Sequence, residues 1–183
     1  QAEFGKIICI STGFFYVDKG NRLCFRVKSY AGDDEKQLLA EFSKAVEKFS
    51  KTVPHMQLAG HNIKEFDIPY ISRRMMIQNL PLPAFLQLSG KKPWETNLID
   101  TMQLWKFGDY KNYTSLHLLA NCLGIPTPKD GIDGSQVKDV YYIEKNMKKL
   151  VEYCQKDVIA TAQVFLRFQQ LPLLPQENIF IAD

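Results

Sequence analysis

The sequence predicts an α/β domain built on a mixed sheet. Three observations carry that expectation: a strand–turn–strand unit near the N-terminus, strand-like and helical runs that then alternate, and a long amphipathic stretch near the C-terminus. Lys6 to Phe15 is rich in isoleucine and aromatic residues and reads as a strand buried on both faces. Asp18-Lys19-Gly20-Asn21 is a turn signal, and Leu23 to Val27 resumes as the second arm of a hairpin. Gly32-Asp33-Asp34-Glu35 opens a helix whose apolar residues recur at Leu38, Leu39, Phe42, Val46 and Phe49. Met56 to Ala59 is a short strand, followed by Gly60-His61-Asn62 and a helix through Arg73-Arg74. Asn97 to Asp100 forms a further strand, and Ser115 to Cys122 a helix that stops at Gly124-Ile125-Pro126. A Gly/Pro/Asp-rich loop from Thr127 to Val137 leads to a long helix over roughly Ile143 to Gln169. No repeat, linker or low-complexity segment interrupts the pattern, so residues 1–183 read as a single domain.

Composition narrows the class without naming a chemistry. The chain has 45% hydrophobic and 23% charged residues, the balance of a soluble globular protein with a sizeable core. A net charge of +3 permits a polyanionic partner without demanding one. None of the four cysteines forms a C-x-x-C pair and each has apolar neighbours, which argues for buried, reduced thiols in a cytoplasmic protein. No apolar run approaches the roughly 18 residues of a membrane span, and no secretory signal is visible.

Two patterns carry chemistry. Gly60-His61-Asn62-Ile63-Lys64-Glu65-Phe66-Asp67 runs from a strand end into a helix start and contains N-x-x-x-F-D. Tyr153-Cys154-Gln155-Lys156-Asp157 places Y-x-x-x-D on the long helix. At about 100° per residue, Leu150, Cys154, Val158, Phe165 and Phe168 share one apolar face. Tyr153 and Asp157, four residues apart, lie together on its flank, while Lys156, Gln163 and Arg167 point toward solvent.

These residues resemble the second and third motifs of the DEDD exonucleases, the RNase H-like, DnaQ-like proofreading nucleases. Within that superfamily the chain is most similar to bacterial exonucleases related to the proofreading domain of family B DNA polymerases. The similarity extends to Leu98-Ile99-Asp100-Thr101, Ser115-Leu116-His117-Leu118-Leu119 and Asp130-Gly131-Ile132-Asp133-Gly134-Ser135. The histidine branch would place a histidine five residues before Asp157, where this chain has Glu152, so the tyrosine (DEDDy) branch is favoured. The resemblance implies hydrolysis of phosphodiester bonds at nucleic-acid 3′ ends, with two Mg²⁺ or Mn²⁺ ions as cofactors. It assigns Asp157 and Asp67 as metal ligands and Tyr153 as the group that orients the attacking water. Asn62 and Phe66 would hold the terminal nucleotide, Phe66 against its base. The partner implied is single-stranded nucleic acid or a 3′ end, DNA more than RNA.

One family feature is missing, the D-x-E strand at the centre of the sheet. The only D-x-E spacing here, Asp33-x-Glu35, sits at a helix start, where capping is its natural role. We expect the chain to be an N-terminally incomplete exonuclease domain, weak or inactive because two carboxylates cannot balance two divalent ions. The absent strand leaves two edges unpaired, which invites strand exchange or dimerisation. The strand-like tail from Asn178 to Asp183 is a candidate to fill the gap.

Each residue also has a plain structural reading. Asp67 before Ile68-Pro69 is an ordinary N-cap, Asn62 a turn residue, Phe66 core, and Tyr153 with Asp157 a solvated helix flank. Asp100 ends a strand, with a structural role at least as plausible as one in the cleft. The three histidines stand apart without ligand spacing. Arg73-Arg74, Lys91-Lys92 and Lys148-Lys149 read as solvated pairs, with phosphate contacts the alternative, and the aromatics of Trp105 to Tyr110 as core by default, with the flank of a nucleic-acid groove the alternative. The competing function is a nucleic-acid-binding or interaction module that has lost catalysis.

Overall fold

Backbone pairing follows the predicted order of elements, with corrections at several named positions. The structure is a computed structural model that describes residues 1–127 and 135–182. The 128–134 part of the predicted loop, which holds most of the Asp130-to-Ser135 motif, and Asp183 lie outside the described residues. The chain gathers into two compact units, residues 1–8 with 32–108, and residues 9–31 with 109–183.

In the first unit, α1 (Glu35–Thr52) buries Leu38, Leu39, Phe42 and Val46, the stripe its periodicity predicts. Its N-cap is Asp34, whose side chain accepts from Gln37 N. Glu35 therefore does not cap the helix, as the sequence suggested, but is buried in its first turn. There it accepts from Ile7 N at 2.6 Å and from Arg74 Nε and Nη2 at 2.8 and 2.6 Å, with Gln78 as a further donor. Arg74 also donates to Ala2 O at 2.9 Å, so one ion pair ties the N-terminal segment, α1 and α2 (Asp67–Ile77) together. Arg74 is thus buried, whereas its place in an Arg-Arg pair suggested solvent. Gly5 admits this arrangement, because a Cβ there would fall 1.7 Å from the Tyr70 hydroxyl. Two short strands, β3 (Leu58–Gly60) and β4 (Leu98–Asp100), pair in parallel, and β4 runs directly into α3 (Thr101–Lys106).

The second unit is a three-stranded sheet with a helix across it. β1 (Cys9–Val17) and β2 (Leu23–Ala31) form the antiparallel hairpin, with Asp18 Oδ1 accepting from Gly20 N and Arg22 N across the turn. Asn21 there adopts φ 58°, a conformation asparagine tolerates. No residue of β1 is fully buried, contrary to a strand covered on both faces. One β1 face packs against α6 (Met147–Phe168) while Phe14 and Val17 stand exposed.

The tail overturns a second expectation. β5 (Ile179–Ala182) does not lie beside β1 but pairs in parallel with β2, giving the order β1-β2-β5. Its route is set by Gln163, whose amide donates to Leu174 O and accepts from Leu174 N at 3.0 and 2.9 Å. That clasp buries Gln163, which the helical wheel had placed toward solvent. Phe25, Val27, Ala162, Leu166 and Leu174 close the core here, each burial contributing on the order of 1.5–3 kcal/mol for the larger side chains. The glycine at position 13 is required because a Cβ would fall 2.2 Å from the Phe25 ring.

The remaining elements of this unit are α4 (Leu116–Cys122), capped by Ser115, and a short turn α5 (Val137–Asp139) continued by a π-turn over Val140–Glu144. The cysteines are free thiols, and Cys122 is exposed where burial was expected. Among the described residues no helix is long and apolar enough to cross a membrane.

Burial disfavours the charge on Glu35, but the hydrogen bonds from Arg74, Ile7 N and Gln78 outweigh it and hold the carboxyl below its usual range. Its stabilising contribution is therefore present above the ordinary carboxylate pKa and lost as pH falls through the lower folded value. Replacing Arg74 by Met should cost about 3–5 kcal/mol in urea unfolding at neutral pH, by leaving a buried carboxylate unpaired. The deficit should shrink in acid, and Glu35→Gln added to Arg74→Met should recover part of it.

Candidate active site

The N-x-x-x-F-D segment is held by a single carboxylate. Asp100 is 2% exposed at the end of β4. Its Oδ1 accepts from Asn62 N at 2.9 Å, Met102 N at 3.0 Å and Gln103 N at 3.4 Å, and its Oδ2 from Lys64 N at 3.2 Å. It thus caps α3 and, at the same time, binds the loop leaving β3. Thr101 adds a second hold, donating to Gly60 O at 3.3 Å with its hydroxyl 3.0 Å from His61 Nδ1. Under these restraints Asn62 sits at φ 62°, and its Oδ1 is a buried polar atom without a hydrogen-bond partner among the described residues. A buried acceptor left unsatisfied costs about 1–3 kcal/mol, so this atom is energetically primed for a donor.

Phe66 and Asp67 follow. The N-cap of α2 is Phe66, not Asp67, which is the first residue of the helix. Asp67 therefore lies inside the first turn, where its charge meets the helix dipole, and it is exposed. Phe66 is 59% exposed, its ring centroid 5.7 Å from that of Tyr70, so it is not a core residue. Phe107 likewise stands 86% exposed, where the sequence suggested core packing.

In the second unit, Tyr153 and Asp157 lie one turn apart on α6, both half-buried. Asn146 starts the helix, its Oδ1 accepting from Lys149 N at 3.1 Å. A polar line beneath α6 fixes its rotation: Gln155 Nε2 donates to Ser29 Oγ at 3.2 Å, and Ser29 and Ser11 hydroxyls meet at 2.7 Å. Cys9 joins it, its thiol pKa lowered chiefly by a hydrogen bond with Cys154 against the opposing effect of burial. With the helix so turned, burial pushes the Asp157 carboxyl pKa up, while the Tyr153 hydroxyl bonded to it and the nearby His117 pull the other way. No lysine or arginine pairs with Asp157 among the described residues.

His117 is the residue that sequence reasoning missed. Its spacing fits no ligand pattern, yet α4 packs on α6 and brings it within electrostatic reach of Asp157. The Ser115-Leu116-His117 run was a visible signal, but nothing in its spacing pointed to Asp157. Of the expected site residues, Asn62, Phe66 and Asp67 belong to the first unit, and Tyr153 and Asp157 to the second. Among the described residues no group of three or more His, Cys, Asp or Glu side chains is arranged to hold a metal ion.

A family described as a predicted 3′–5′ exonuclease related to the exonuclease domain of PolB matches residues 1–174. The chain belongs to this family. A solved structure with the same fold is the family B DNA polymerase from the hyperthermophilic archaeon Pyrobaculum calidifontis. The TM-score is 0.58 at 16% identity, over 91% of this chain and 25% of the polymerase chain. The present chain therefore spans about a quarter of that polymerase, and the likeness is one of fold. No curated protein matches. The fold class is accordingly mixed α/β, similar to the fold of a family B DNA polymerase.

Two measurements test this geometry. Asp100→Ala should unfold at lower urea concentration, by at least about 2 kcal/mol, because it uncaps α3 and strips the Asn62–Lys64 loop of its acceptor. Asp157→Asn should do the opposite without added metal. A raised folded pKa means stability is full below the ordinary aspartate value near 3.9 and lost as pH rises through the folded value. The amide removes that loss, so its thermal midpoint should exceed the parent's at neutral pH and converge with it in acid.

Proposed function

We propose that this chain is a 3′–5′ exonuclease module acting on nucleic-acid 3′ ends, DNA in preference to RNA, with residues 1–183 working as a single domain. The observation that carries the reading is Asp157: a carboxylate desolvated on α6, bonded to a tyrosine hydroxyl and paired with no lysine or arginine among the described residues. Such a group costs stability and is useful when a ligand cation or a water molecule takes up its charge. In this reading Tyr153 orients the attacking water through its hydroxyl. Asn62, with its unpartnered amide oxygen, accepts from the terminal nucleotide, and Phe66 packs its exposed ring on the base.

Mg²⁺ or Mn²⁺ is the proposed cofactor, with Asp67 and Asp157 as the chain's own ligands. Divalent ions in such sites neutralise charge on the attacking and leaving oxygens. Two carboxylates, one in each unit, fall short of the oxygen donors that two such ions require. Metal affinity is accordingly weak and hydrolysis by these 183 residues slow. The same shortfall favours a second reading, a nucleic-acid-binding or interaction module without catalysis.

Incubating the chain with a 5′-labelled single-stranded oligonucleotide and Mg²⁺ or Mn²⁺, with an EDTA control, separates the two. The exonuclease reading expects a slow, metal-dependent ladder shortening from the 3′ end, reduced by about a hundredfold or more in Tyr153→Phe. Binding with no ladder at any metal concentration would favour the second reading. A ladder undiminished in Tyr153→Phe would remove the tyrosine from the chemistry.

A further inference from the structure

The face of the three-stranded sheet opposite α6 has a composition that the exonuclease reading does not use. Pairing registers Phe14 with Arg26 and Arg26 with Phe180, so one guanidinium lies between two aromatic positions across three adjacent strands. Tyr16 joins them, its ring centroid 6.0 Å from Phe14 and 6.5 Å from Phe180. Phe14 and Phe180, on the two outer strands, are 37% and 39% exposed, although large aromatic side chains are usually well buried. Lys28 follows Arg26 two residues on, on the same face and exposed, its Nζ 5.8 Å from the Tyr30 ring. Neither Arg26 nor Lys28 enters an ion pair among the described residues. The alternating positions that share this face, Ile10 to Tyr16, Cys24 to Tyr30, and Phe180 with Ala182, include no acidic residue.

We propose that this face binds single-stranded nucleic acid, the bases stacking on Phe14, Tyr16 and Phe180 and the phosphates meeting Arg26 and Lys28. The physics is that of a stacking platform on a sheet with a cationic track beside it. Stacking needs an exposed base plane, so paired duplex is excluded as the ligand. A second copy of the chain fits less well: a two-fold contact would set Arg26 and Lys28 against their own counterparts, and lysine is depleted in protein interfaces. Every residue named belongs to one compact unit, so the surface exists whatever the state of the catalytic residues.

The test is fluorescence anisotropy with 5′-fluorescein-labelled oligothymidylate and oligouridylate in EDTA, with the labelled duplex as control. EDTA removes hydrolysis, so this experiment can fail while the exonuclease reading stands, and the reverse. Both single strands should bind and the duplex should not, since stacking on rings reads neither base nor sugar. Phe14→Ser should weaken binding by about tenfold. Arg26→Gln with Lys28→Gln should weaken it further and flatten the plot of log affinity against log salt by about 1.4, roughly 0.7 for each phosphate left without its cation. Because all three side chains are exposed, the variants should keep the parent's thermal midpoint. Photocrosslinking with 5-iodouracil should label Phe14, Tyr16 or Phe180. Absence of binding, unchanged affinity in these variants, crosslinks confined to other residues, or a dimer dissolved by Phe14→Ser would each overturn the proposal.

Discussion

Four backbone N–H groups converge on the carboxylate of Asp100, and the first unit's working surface depends on that convergence. A side chain that is 2% exposed and bonded this fully cannot rotate without stranding several donors at once. It links the end of β4, the start of α3 and the loop leaving β3 in one charge-assisted cluster. Asn62 owes both its left-handed backbone and its unsatisfied amide oxygen to this anchoring. The parallel pair β3–β4 is only three residues long on each strand, too short to fix a loop by ladder hydrogen bonds alone. Asp100 and Thr101 supply the rigidity that the strands lack.

The second unit solves the opposite problem. Its helix α6 is long and well packed, and the difficulty is to keep a carboxylate on its flank without neutralising it. Gln155, Ser29 and Ser11 set the helix rotation by hydrogen bonds, and Phe25, Val27, Ala162 and Leu166 set it by packing. Asp157 then meets an environment that disfavours its charge, softened by a tyrosine hydroxyl and a histidine rather than cancelled by an arginine. Glu35 makes the contrast plain: it is more deeply buried, but Arg74 and a backbone amide hold its charge, so its energy is spent on structure.

Much of this was legible in the sequence because local rules and tertiary demands agreed. The hairpin turn at Asp18–Asn21, the stripe Leu38–Val46 and the helix ending at Cys122 follow from turn chemistry and periodicity, and the structure keeps them, while the long helix starts at Met147 and not at Ile143. The N-x-x-x-F-D and Y-x-x-x-D patterns carried the family. What escaped was decided by residues far apart in the chain. Gln163 looks solvated until Leu174 folds back on it, and Arg74 until Glu35 arrives from another helix. His117 acquires its neighbour only through the packing of α4 on α6. The tail is legible as a strand but its edge is not, since β-propensity says nothing of which partner a strand will choose.

That edge has a consequence for how the second unit ages and is handled. Between α6 and β5 the chain runs through exposed residues such as Leu171, the kind of irregular surface segment that proteases cut. A nick there would free β5 from α6 and strip β2 of a neighbour, turning a three-stranded sheet into a bare two-stranded ribbon. Leu174 would leave the core with it, and the newly opened β2 edge would present unpaired amides and carbonyls to any passing strand. One short strand and the glutamine that routes it are therefore this unit's safeguard against aggregation.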